Sequence, residues 1–124
     1  MIRVMKLHHV SLASKDLEAS KAFFSGVLGL QEVARPGFGF RGAWYAVGDR
    51  QLHLIEAREG EAGAGQRLGR SDHLALEVTD VDEVRRTLEQ HGIAYQEGGN
   101  HNLGMDQVFC RDPDGHVIEF ARYT

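Results

Sequence analysis

Four residues of this 124-residue chain have the types and the placement to hold a metal ion: His9, His53, His73 and Glu119. Three neutral imidazoles and one carboxylate suit a divalent transition metal, whether zinc, nickel, cobalt, iron or manganese. Such an ion polarises a carbonyl, stabilises an enolate or supplies bound hydroxide. A repeat ties the four together. The segment from His9 to Leu17 returns from His73 to Val81, each copy opening on histidine and reaching an aspartate, Asp16 or Asp80, where a helix can start. Each half also closes on a similar strand, one carrying His53 and the other Glu119, with Gly48 and Gly115 a few residues upstream.

Strand parity sorts these residues onto one face, because successive side chains of a strand point to opposite sides. His9 opposes Val10 and Leu12, His53 opposes Leu52 and Leu54, His73 opposes Leu74 and Leu76, and Glu119 opposes Ile118 and Phe120. Helices need the aliphatic face, so all four candidates fall on the other. The competing reading, in which each residue merely fills a half-buried strand position, requires that placement to arise four times by chance.

The elements that must position them follow one plan twice. The first half reads as a strand over residues 4–14, then a helix from about Leu17 to Leu28 with the apolar stripe Leu17, Phe24 and Leu28, widened by Phe23 and Val27. Ser14 or Asp16 caps that helix and Gly29 ends it. Strands follow at Gln31–Ala34, Ala43–Val47 and Gln51–Glu56. The second half repeats this with a strand Leu74–Val78 and a helix capped by Asp80 or Asp82, carrying Val81, Val84 and Leu88, and ended by Gly92. Strands Ala94–Gln96, Gln107–Cys110 and His116–Arg122 complete it, with a turn over Asp112–Gly115. The fold class is α+β: two tandem βαβββ modules forming a curved mixed sheet within a single domain, 1–124. Module 1 covers about 4–57, a glycine-rich connecting loop about 58–71, and module 2 about 72–124.

Composition narrows the function classes. A net charge of −4 with no basic run argues against nucleic acid, and no apolar stretch reaches the roughly 20 residues needed to span a bilayer. A lone cysteine, Cys110, and an N-terminus without a signal-peptide pattern fit the cytoplasm; Cys110 itself reads as a small core residue. Among the other histidines, His8 faces away from His9, His91 serves a helix C-terminus, His116 sits solvated in a turn, and His101 lies in a Gly/Asn-rich loop, at the surface or beside substrate. Arg41, Trp44 and Gln107 are the candidate substrate contacts, with Arg35 beside them; Phe38 and Phe40 read as core aromatics or the wall of an apolar pocket.

The run from His9 to Leu12, Asp16–Phe24 with Val27–Leu30, Leu52–Glu56, His73–Leu76 and Asp112–Glu119 together resemble the vicinal-oxygen-chelate superfamily, which holds glyoxalase I, methylmalonyl-CoA epimerase, extradiol dioxygenases and the fosfomycin- and bleomycin-resistance proteins. Arg35–Trp44 and Asp106–Phe109 look closest to a glyoxalase-I-like subgroup of bacteria and plants. The resemblance implies the glyoxalase/bleomycin resistance/dihydroxybiphenyl dioxygenase fold, one divalent metal on His9, His53, His73 and Glu119, and a homodimer. It implies isomerase or lyase chemistry on a small substrate with adjacent oxygens, through a metal-stabilised enediolate, with Glu119 as the catalytic proton carrier. Glutathione-dependent glyoxalase I usually carries glutamate where this chain has His53. An extradiol-type ferrous dioxygenase using His9, His73 and Glu119 is one alternative, and a drug-sequestering binding protein is another.

Overall fold

The computed structural model describes Met1, Arg3, residues 5–57 and residues 73–123. The chain divides into two compact units, Met1–Ala62 and Gly63–Thr124. The expected connecting loop over 58–71 lies outside the described residues.

In the first unit, β1 (His9–Ser14) leads to α1 (Leu17–Lys21) and a π-helical segment, Ala22–Val27, before β2 (Gln31–Val33), β3 (Gly42–Val47) and β4 (Arg50–Glu56). The second repeats the order with β5 (His73–Glu77), α2 (Val81–Gln90), β6 (Tyr95–Asn100), a 3-10 turn His101–Leu103, β7 (Met105–Arg111) and β8 (Val117–Tyr123). Each unit is thus βαβββ, with a four-stranded mixed sheet ordered β1-β4-β3-β2 in one and β5-β8-β7-β6 in the other. The first strand of each unit pairs parallel to its last, and the remaining pairs are antiparallel. No helix among the described residues is long and apolar enough to cross a membrane.

Both helices start where aspartate can accept from the first turn. Asp16 Oδ1 takes the Ala19 amide at 3.1 Å, and Asp80 Oδ1 takes that of Asp82 at 2.9 Å. Gly29 and Gly92 follow the helices at φ 72° and 67°, a region that β-carbons disfavour. The helix expected to run unbroken to Leu28 widens instead into a π-helical segment, and this coincides with the adjacent pair Phe23 and Phe24, both buried.

The aliphatic face of the strands is buried, and on β4 and β8 the opposite face is buried at His53 and Glu119 as well. Leu52, Leu54, Tyr45, Val108, Cys110 and Ile118 are buried, and each such leucine side chain contributes roughly 1.5–3 kcal/mol. Cys110 is fully buried, and that burial pushes its thiol up to about 12, as a core residue requires. Other elements depart from expectation. β1 begins at His9, and β6 runs on to Asn100 through the Gly/Asn-rich stretch read as loop. Glycine makes that extension workable: a Cβ at Gly98 would sit 2.8 Å from the Phe109 ring. Phe38 and Phe40 are not core residues; they are 44% and 50% exposed and stack on each other at 5.1 Å, beneath the Arg35 guanidinium.

Candidate functional site

Each unit brings its own two candidate ligands together. In the first, Ser11 of β1 is in register with His53, and His9 with Gln51, so the two imidazoles stand on neighbouring strands of one face. Their rings stack with centroids 4.0 Å apart and planes 16° apart. On the other side of β4, Trp44 is in register with His53 and stacks on it at 4.0 Å and 4°. His53 is thereby buried between two rings, and its Nε2 lies 2.8 Å from Gln51 Oε1. Burial first, then the neighbouring His9, His8 and Arg35, holds its imidazole below the usual 6.5.

In the second unit, Ala75 of β5 is in register with Glu119, and Phe109 of β7 opposes Glu119 from the other side. His73 Nε2 is 3.1 Å from Glu119 Oε1. Gln107 Nε2 donates to Glu119 Oε2 at 3.0 Å. Glu119 is only 3% exposed, and a carboxylate this buried needs such donors. Phe109 meets the His73 ring edge-on, centroids 6.4 Å apart.

The donor chemistry fits a divalent transition metal. The 3.1 Å between His73 Nε2 and Glu119 Oε1 is close to the roughly 3.3 Å separating neighbouring donors of a tetrahedral ion with bonds of about 2 Å. A separate donor group sits in the turn between β7 and β8: Asp112, Asp114 and His116 each offer one atom within 4.8 Å of the others. Asp112 Oδ1 accepts from the amides of Asp114 and His116, while its Oδ2 is buried with no hydrogen-bond partner. Burial raises the Asp112 carboxyl, and the charge of His116 pulls it back.

The remaining sequence candidates scatter. Arg41 binds Glu18 at 2.9 Å and Glu56 at 3.0 Å. Trp44 and Gln107 each touch a candidate ligand, His53 and Glu119 respectively. His101 is surface-exposed and pairs with Asp106 at 3.1 Å, and His91 Nδ1 lies 2.9 Å from the Thr87 carbonyl at the end of α2. Gln51 was not among the sequence candidates, and Phe109 and the Asp112 group entered only as motif and turn residues. Gln51 was within reach, since it lies two residues from His53 and therefore on the same face.

Residues 6–120 match the sequence profile of the Glyoxalase/Bleomycin resistance protein/Dioxygenase superfamily. The chain belongs to this superfamily. Among relatives of this superfamily member, Glyoxylase I 4 of Arabidopsis thaliana is 31% identical over 128 residues, covering 97% of this chain and 72% of its own. Lactoylglutathione lyase of Neisseria meningitidis serogroup A is 32% identical over 125 residues, covering 95% and 91%. A glyoxalase family protein of Bacillus anthracis superposes with a TM-score of 0.82 at 22% identity, covering 100% of this chain and 99% of its own, a likeness that shows the fold. The α+β fold of two βαβββ modules and the family read from the residues are thus both borne out. By this kinship the chain is an enzyme.

Proposed function

We propose that this chain is a metal-dependent isomerase or lyase of glyoxalase type, acting on a small substrate with adjacent oxygens. His9, His53, His73 and Glu119 would hold one divalent ion in a homodimer, as the family resemblance implies, and the lone cysteine suits the cytoplasm. When bound, that ion would acidify a carbon-bound proton next to a carbonyl.

The observation that carries this reading is the environment of Glu119. Gln107 donates to Oε2 and fixes the orientation of the buried carboxylate. Glu119 would collect the substrate proton and return it to the neighbouring carbon. Trp44 presents a flat apolar face to the His53 ring. Arg41 stands among carboxylates in the same unit and would meet an anionic end of the substrate only by exchanging one of them.

A second reading is oxygenation on His9, His73 and Glu119 alone, with His53, whose Nε2 lies 2.8 Å from Gln51 Oε1, standing off the ion. The two readings separate in one experiment. Incubated in heavy water with the hemithioacetal of methylglyoxal and glutathione, the metal-loaded protein should incorporate solvent deuterium at the transferred carbon position and consume no oxygen with catechols. Oxygen uptake with catechols and no deuterium exchange would overturn the lyase reading.

A further inference from the structure

His53 is held on three sides: between the Trp44 and His9 rings, and at Nε2 by Gln51 Oε1 at 2.8 Å. With Gln51 Oε1 as the acceptor, the ring proton sits on Nε2 and the lone pair on Nδ1. We propose that Gln51 is a positioning residue that fixes this tautomer, making Nδ1 the atom His53 offers to the divalent ion. The tautomer rests on Gln51 presenting its amide oxygen to the ring; the ligand role of Nδ1 rests on the four-ligand reading above.

Comparing the modules explains why the amide comes from position 51. In the second unit the amide partner of Glu119 is Gln107, on the neighbouring strand β7. Gln107 is in register with Ala121, two residues past Glu119, and the matching place in the first unit, in register with Ile55, is Gly42. No side chain fits there, because a Cβ at Gly42 would run into the Leu54 carbonyl oxygen. The first unit instead carries its amide on the ligand's own strand, at Gln51 in register with His9, where the second has the buried apolar Val117 in register with His73. The polarity of the partner changes with the ligand. A carboxylate must be given a proton donor, whereas a neutral imidazole with its proton on Nε2 must be given an acceptor.

The test is nitrogen NMR of the imidazoles in metal-free protein at about pH 8, above the ordinary histidine range, for wild type, Gln51→Glu and Gln51→Leu, followed by titration with Zn²⁺. Wild type and Gln51→Glu should show His53 protonated on Nε2, while Gln51→Leu shows a mixture of tautomers. Added Zn²⁺ should shift His53 Nδ1, with affinity weakened about 10–100-fold in Gln51→Leu and restored in Gln51→Glu. A proton on Nδ1 in wild type, or an unchanged tautomer in Gln51→Leu, overturns the positioning role. Zn²⁺ that shifts His9 and His73 but neither nitrogen of His53 overturns the Nδ1 ligand and the four-ligand set together, a failure distinct from that of the tautomer.

Discussion

In the first module, position 53 is an imidazole packed face-on between Trp44 and His9; in the second, the matching position 119 is a carboxylate between His73 and Gln107. Both side chains are buried, at 6% and 3% exposure, so neither relies on water to satisfy its polar atoms. The same backbone plan holds the two by different physics. A neutral ring is kept in place largely by ring faces and one acceptor, whereas a buried charge needs donors aimed at its oxygens. The first module is therefore sensitive to protonation and loss of stacking, and the second to loss of hydrogen bonds.

The largest effect should follow loss of the carboxylate itself. Glu119→Gln keeps the shape and removes the base, and turnover in the proton-exchange assay should fall about 10²–10⁴-fold. Next is its donor: Gln107→Leu leaves Glu119 Oε2 without that bond, and metal affinity measured by calorimetry should weaken about 10–100-fold. Stacking comes third. Trp44→Leu should weaken metal binding by about 2- to 12-fold, the equivalent of the roughly 0.5–1.5 kcal/mol an aromatic pair supplies. Phe109→Leu, which loses only an edge contact at 6.4 Å, should change it less. Equal losses from Trp44→Leu and Phe109→Leu would erase the distinction between the modules.

The smallest effect is on pH. The folded His53 imidazole sits below its unfolded value of 6.5, so its contribution to stability is whole above 6.5 and is lost as pH falls from there through the folded value. Chemical unfolding of the metal-free protein between about pH 7 and 5 should show this loss, and His53→Gln should flatten it.

Much of this arrangement was legible in the sequence. Parity placed His9 and His53 on one face and His73 and Glu119 on one face, because a buried strand leaves only two choices of side. The caps at Asp16 and Asp80 and the turn at Asp112–Gly115 follow from local chemistry that acts within a few residues. Other features depend on contacts between strands. The extension of β6 brings Gly98 against the Phe109 ring of β7, where only glycine fits, and the exposure of Phe38 and Phe40 depends on where a glycine-rich loop carries them. Gln107 bonds Glu119 because β7 and β8 pair in one register, which no local pattern specifies.

His9, His53, His73 and Glu119 are proposed to hold one divalent ion. Zn²⁺ titration of metal-free protein tests it most directly, comparing His9→Ala and Glu119→Ala with their parent, all carrying Asp114→Asn so that the turn cluster does not contribute. The account predicts one strong site in the parent and its loss or marked weakening in both variants. Either variant binding Zn²⁺ as tightly as the parent would contradict it.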